Sequence, residues 1–440
     1  MSGSLTSTLS HRLRPRIWLL ILVTLEMSGL TVLRAGELSP VEQLGKQLFF
    51  DTNLSSPPGQ SCASCHAPEV GFTGPDSAIN QSIGVYPGAV PERFGNRKPP
   101  TVAYASFSPK LSYNDHDNVY VGGQFWDGRV NDLVEQAKGP FLNPLEMNNA
   151  SAAEVVDKVR NADYRALFDR VYGSQTLAGS DTTRAFDQIA RAIAAYETSR
   201  EVNSFDSKYD FYLAGRVQLT DAEARGLKLF AEQANCTACH PHERRADGSP
   251  PLFTNFTYVN VGVPQNTANP FYRAPRSVNA EGAQFRDLGL GNVLQDVSQN
   301  GKVKVPTLRN VAKKPHPAFV KAYLHNGHFK SLKEVVHFYN IRNSRPDDFG
   351  DPDVAENVNR DELGNLGLKA NEEDDVVAFL ETLSDGYVIE AKEPSVPVKP
   401  ASIETTGEKD RFRSAREVIR VSRFRGGIPR MAAGTHIEQR

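Results

Sequence analysis

Cys62-Ala63-Ser64-Cys65-His66 and Cys236-Thr237-Ala238-Cys239-His240 are the stretches on which the reading of this 440-residue chain turns. Between them they use every cysteine in the sequence, and each sets a histidine directly after its second thiol. Cys-x-x-Cys-His is the attachment pattern of c-type haem, in which two thiols add across the vinyl groups and the adjacent imidazole reaches the iron from one face. Zinc also accepts a Cys-x-x-Cys pair, but a structural zinc site draws four ligands from one compact unit. A redox dithiol has no need of the following histidine and seldom occurs twice. Four cysteines are too few to staple a chain of this length with disulfides. The two pentapeptides therefore predict two covalently bound haems, with His66 and His240 as proximal iron ligands.

Working outward, the segments ahead of the two motifs also match. Gly45-Lys46-Gln47-Leu48-Phe49 precedes the first, and Gly226-Leu227-Lys228-Leu229-Phe230 precedes the second. Each reads as an amphipathic helix leading into a haem-binding loop, an internal duplication. Between them, Asp181 to Arg200 carries Phe186, Ile189, Ile193 and Tyr196 at three- and four-residue intervals, with Asp181 placed to cap a helix. Near the end, Asn371 is placed to cap Glu372 to Ser384, where Val376, Val377, Phe379, Leu380 and Leu383 form a similar face. The rest is rich in Gly and Pro, with few alternating β-branched runs. The expectation is an all-α protein with long loops, made of two similar domains that divide near residues 205–215.

The ends read differently from the body. Arg12, Arg14 and Arg16 precede an uncharged run from Ile17 to Leu25, which Glu26 ends well short of the ~18 apolar residues needed to span a bilayer. Residues 1–36 read as a secretory signal peptide or an uncleaved anchor, and either places the body outside the cytoplasm, in the periplasm. Residues 391–440, Pro- and Lys-rich and then Arg-rich with few large apolar residues, read as a basic, disordered tail. Lys+Arg 50 against Asp+Glu 52 leaves no basic excess to neutralise phosphates, which excludes a general nucleic-acid binder.

The far face of each iron is the remaining question. No methionine lies between His240 and Met431, so a His/Met electron-transfer haem is not expected in the second half. The alternatives there are a second histidine or a tyrosinate, a hard anionic donor that stabilises oxidised iron. In the first half no histidine occurs between His66 and His116.

With these residues in hand, the sequence resembles the bacterial di-haem cytochrome c peroxidase and MauG family across roughly residues 40–390. The matching motifs are Gly45 to Asp51, both haem sites, Phe125-Trp126-Asp127-Gly128-Arg129, Gln136-Ala137, Pro140, Leu145-Glu146-Met147, Val305-Pro306-Thr307-Leu308-Arg309-Asn310 and His325-Asn326-Gly327. Ser331 to Asn340 is similar to the MauG branch in particular. The resemblance implies two cytochrome c-like domains, 37–208 holding the peroxidatic haem and 209–390 the electron-transfer haem. It also implies that Tyr339 is the second axial ligand of the His240 haem, that Glu146, Gln136 and Pro140 line the distal side of the His66 haem, and that Trp126 stands between the two. A carboxyl above iron can take a proton from bound peroxide and return it to the departing oxygen. Many peroxidases of the family carry a histidine that blocks the first iron until the second haem is reduced; its absence here implies an iron open to peroxide, with His116 the one residue left to place.

Two departures matter. The family often holds a calcium ion between its domains with an asparagine, where this chain has Lys98; the carbonyls of Lys304 and Pro306 remain as the expected calcium donors. MauG acts on a tryptophan-bearing partner through a surface tryptophan near its second haem, and this chain has none after Trp126. The expected function is reduction of hydrogen peroxide with electrons from a small donor protein, a c-type cytochrome or cupredoxin, by a monomer or homodimer. The alternatives are a MauG-like oxidase of a protein or organic substrate and a non-catalytic di-haem electron carrier.

Overall fold

The computed structural model describes residues 37–389. The expected signal peptide and basic tail lie outside the described residues. What is described is mostly helical, joined by long loops and short 3-10 turns.

The helix Pro40–Phe50 starts where its sequence directs. The Ser39 hydroxyl accepts the Glu42 N–H, the Glu42 carboxylate accepts the Ser39 N–H at 2.6 Å, and Pro40 opens the first turn, where its missing N–H is not needed. Its buried face, Leu44, Gly45, Leu48 and Phe49, packs on the helix Thr182–Thr198, which the Asp181 carboxylate caps through the Arg184 N–H at 2.9 Å, as the spacing predicts. At the crossing a Cβ on Gly45 would stand 1.8 Å from the Ala192 carbonyl oxygen and 2.9 Å from the Tyr196 Cβ, so only glycine fits. The second half repeats the arrangement. Asp221–Ala231, with the reciprocal Thr220–Glu223 cap, crosses Ala370–Glu381, and a Cβ on Gly226 would stand 1.8 Å from the Asp375 oxygen and 2.9 Å from the Phe379 Cβ.

Two apolar cores follow from these pairs. One is built around Leu44, Phe49, Phe141, Phe168, Ile189 and Tyr196, the other around Phe230, Phe253, Val376, Phe379 and Leu383. Each fully buried side chain of this size contributes about 2 kcal/mol of transfer free energy.

Two sequence expectations are corrected. The last helix begins at Ala370, and Asn371 lies inside it, because the Glu372 carboxylate reaches back to the Lys369 N–H at 2.8 Å and fixes the start ahead of the expected cap. Strand is also present: Ser112–Asn114 pairs with Val119–Val121, and Tyr258–Val259 with Val303–Lys304, both antiparallel and too short to show an alternating pattern.

The two cores meet along a polar seam. The Arg309 guanidinium, with no exposed side-chain surface, donates to both Asp210 oxygens at 2.9 and 2.7 Å and lies over the rings of Tyr104 and Phe205. The Tyr104 hydroxyl donates to Asp385 at 2.7 Å, and Asn310 donates to the same carboxylate oxygen. The Val305–Asn310 motif thus acts as the joint between early and late parts of the chain.

Candidate functional site: two cavities with a common wall

Each Cys-x-x-Cys-His pentapeptide closes as a single tight turn. The His66 N–H bonds the Cys62 carbonyl at 2.9 Å, and the His240 N–H bonds the Cys236 carbonyl at 2.8 Å. Both imidazoles are tied back by Nδ1 to a backbone carbonyl, His66 to Phe72 at 3.3 Å and His240 to Phe253 at 2.7 Å. Those two phenylalanines have φ of 57° and 52°, a left-handed conformation strained for a bulky residue, and its repetition at both sites marks it as part of the site. With Nδ1 engaged, Nε2 is the nitrogen left for a metal. Burial pulls both imidazoles down to about 4, so they are neutral, as a ligand must be.

The thiols are held the other way. Burial, then the charge of Glu146, pushes Cys65 up to about 12; burial and the neighbouring cysteine push Cys236 up to about 12; and Cys239 rises to about 11. Cys62 is raised further still, by burial and then by Glu197. Burial thus keeps all four thiols protonated at neutral pH. Among the described residues no group of three or more His, Cys, Asp or Glu side chains is arranged to hold a bare metal ion.

The first thiol pair and His66 line a cavity of about 290 Å³, which also receives Trp126, Gln136, Pro140 and Glu146. The helix Leu133–Leu142 carries Gln136 and Pro140 one turn apart, as the four-residue spacing predicts. Past its end Asn143 makes the turn: its Oδ1 accepts the Leu145 N–H at 3.0 Å and its Nδ2 donates to Glu146 Oε1 at 2.7 Å. Burial raises the Glu146 carboxyl above its usual range against the lowering pull of Asn143 and Arg129. Among the described residues His66 is the only histidine in the lining. His116 is exposed in the hairpin turn, paired with Asp117, and does not reach the cavity.

The second thiol pair and His240 line a cavity of about 210 Å³ together with Tyr339 and His325. Tyr339 comes from the helix Leu332–Ile341, whose start is fixed by a reciprocal Ser331–Glu334 cap, and burial pushes its phenol up. Lys98, Trp126, Lys304 and Pro306 line both cavities and form the wall between them. The Trp126 indole N–H donates to the Lys98 carbonyl at 3.0 Å, and its ring meets His325 edge-on at 6.4 Å between centroids. All the residues expected at the two haem sites are therefore brought together, and the expected calcium donors sit in the wall.

Glu197 is the functional candidate that the sequence reading missed. It is buried in the first cavity, its Oε2 has no hydrogen-bond partner, and burial pushes it up to about 8. A signal existed. The glycine crossings align Tyr196 with Phe379, so Glu197 matches Leu380, which lines the second cavity. One half of the duplication buries a carboxyl where the other buries a leucine.

Neutral thiol pairs, neutral histidines with a free Nε2 and cavities of largely apolar lining fit two thioether-bound haems, and with a shared tryptophan wall they define a two-haem c-type oxidoreductase. Comparison with known proteins narrows this. Residues 39–218 match the family model of the di-haem cytochrome c peroxidases. The methylamine utilization protein MauG of Paracoccus denitrificans is 38% identical over 356 residues, 78% of this chain and 88% of that one. The cytochrome c551 peroxidase of Pseudomonas aeruginosa is 30% identical over 83% of each chain. The crystal structure of the di-haem peroxidase BthA from Burkholderia thailandensis superposes with a TM-score of 0.67 at 32% identity, covering 80% of this chain and 87% of that one. The chain belongs to the di-haem cytochrome c peroxidase family.

Proposed function

We propose that the protein is an exported, periplasmic peroxidase that reduces hydrogen peroxide to water with electrons from a small c-type cytochrome or cupredoxin. In this reading residues 37–208 and 209–390 each carry one haem, attached at Cys62 and Cys65 and at Cys236 and Cys239. His66, and His240 with Tyr339, would hold the two irons, which would supply the redox chemistry that protein side chains lack.

The chain's own residues do the rest. His66 and His240 are oriented by the Phe72 and Phe253 carbonyls, which hold Nε2 toward the cavities. Glu146, buried and held by Asn143, takes a proton from peroxide and delivers it to the departing oxygen, while Gln136 and Pro140 shape the space around it. Trp126, shared by both cavities, links them electronically.

One observation carries the choice of peroxidase over electron carrier. The first cavity offers a single imidazole, with the carboxyls of Glu146 and Glu197 and the Met147 thioether also in its lining, whereas the second offers His240 with Tyr339 and His325. A carrier needs two strong ligands on each iron, and a peroxidase needs one position open. The test is Glu146→Gln with haem content verified: peroxide turnover is expected to fall about 100-fold, the lower end for loss of a general acid–base group. Full turnover in that variant would sink the assignment. A second reading, oxidation of a protein or organic substrate, is favoured by Tyr339 and by the relation to MauG. It predicts oxidation of an added substrate by peroxide with no donor protein present.

A further inference from the structure

Three lysines sit at the seam, Lys321 buried and Lys98 and Lys304 half-buried, with only neutral oxygens as hydrogen-bond partners. Lys98 Nζ donates to Thr73 Oγ1 at 3.1 Å and to the Pro99 carbonyl at 3.0 Å. Lys304 Nζ donates to the Gly123 carbonyl, and Lys321 Nζ to the carbonyls of Val70, Asn310 and Lys313. Arg97, next in sequence, is by contrast fully paired, with Asp287 and Asp127. An ammonium removed from water with no anion beside it costs several kcal/mol, so an arrangement of this kind is retained where a counter-charge belongs.

Lys98 is the best placed of the three. It lines both cavities, and its backbone is tied on both sides: its carbonyl accepts the Trp126 indole N–H, and its own N–H donates to the His325 backbone carbonyl at 2.8 Å. An ammonium has three donors, and two are engaged. Calcium does not fit beside it. That ion wants six to eight oxygens, whereas the residues common to both cavities put two amines, Lys98 and Lys304, beside the Lys304 and Pro306 carbonyls.

We propose that Lys98 is the cation of this seam, a tethered ammonium standing where a calcium ion would otherwise bridge the halves, with its third N–H given to a haem propionate carboxylate. The inference rests on the two-haem reading, which counting haem per chain tests separately. Burial alone lowers the amine to about 8, and an adjacent propionate raises it again, keeping the charge at neutral pH.

The experiment uses the full-length protein with both haems attached, in wild-type, Lys98→Met, Lys98→Arg and Lys98→Asn forms. Calcium is measured by elemental analysis after dialysis against calcium chloride, and haem potentials by spectroelectrochemistry. Wild type is expected to hold no stoichiometric calcium and to keep its electron paramagnetic resonance spectrum when a chelator is added. Lys98→Met is expected to lower the reduction potential of at least one haem, since a buried positive charge favours the reduced state, and Lys98→Arg to keep it. Lys98→Asn is expected to bind one calcium, with the ion restoring the potential. Stoichiometric calcium in wild type with spectra that change on chelation overturns the proposal, as does a Lys98→Met protein with two haems and unchanged potentials. If Lys98→Met fails to take up haem, the wild-type calcium content and the Lys98→Asn titration decide.

Discussion

Replacing Glu197 by the residue its duplicate carries is the most informative change to this protein's stability. The carboxyl is buried at 4% exposure and held up to about 8, against 4.5 for the free group. A raised folded-state value means the native protein binds the proton more tightly than the unfolded chain. The stabilisation is complete below the unfolded value and is lost as pH climbs through the folded one. Across that window the loss approaches 1.4 kcal/mol per pH unit, so between pH 5 and pH 7 it amounts to roughly 2 to 3 kcal/mol. Because the group is fully buried, solvent screening does not reduce the figure. Glu197→Leu removes the ionisable group and brings in the shape that Leu380 has in the other half, and Glu197→Gln keeps the shape and the polarity. The assay is denaturant unfolding of haem-loaded wild type and both variants, followed by far-ultraviolet circular dichroism at pH 5, 6 and 7. Wild type is expected to lose roughly 2 to 3 kcal/mol relative to either variant from the lowest to the highest pH. A difference between wild type and variants that stays flat over those two units would refute the burial argument, and with it the view that this cavity holds a neutral carboxyl.

Gly45→Ala and Gly226→Ala each drive a Cβ into a carbonyl oxygen 1.8 Å away, so both helix pairs must part, at a cost of about 3 kcal/mol each, read as a lowered midpoint in thermal unfolding. Wild-type melting in either would show that the crossings are not the constraint described. Arg309→Met leaves Asp210 buried with only the Ser207 hydroxyl and N–H as donors; the loss expected is about 3 kcal/mol at neutral pH. Since Arg309 holds the Asp210 carboxyl below its usual range, that contribution exists above the ordinary carboxylate pKa and fades as pH falls through the folded value. The gap between the variant and wild type is therefore expected to narrow in acid, and a gap that widens there would contradict the pairing.

The haem-binding residues were legible because thioether chemistry demands fixed residue types at fixed spacing; Cys62 to His66 needs no tertiary knowledge. The helix Thr182–Thr198 was legible for a similar reason, since Asp181 and the apolar periodicity sit in one short window. Glu146, Trp126 and Tyr339 came from the family resemblance, because a lone Glu, Trp or Tyr has no local pattern that marks it. What escaped was set by contacts distant in sequence. Lys98 and Lys304, 206 residues apart, were set between the domains only by the resemblance, and nothing in either neighbourhood announces that they line a shared wall. The start of Ala370–Glu381 was misread because a glutamate reaching backward competes with an asparagine reaching forward, and sequence alone does not rank the two. Glu197 was within reach, had the duplication been followed past its glycines to the residues beside them.

The shared wall also has an order of assembly written into it. The ribosome makes the Cys62 and Cys65 thiols early, but Lys304, Val305, Pro306 and Thr307, which close one side of their cavity, come far later, and the Tyr104–Asp385 bond that locks the halves spans 281 positions. Until those late residues arrive, the first haem site is a cleft and not a pocket. A bulky planar cofactor can be brought to an open cleft by an attachment machinery; the finished cavity would have to be prised apart. The packing that brings Trp126 and Lys304 together therefore also closes the first cavity, whose lining is complete only when the second half of the chain is in place.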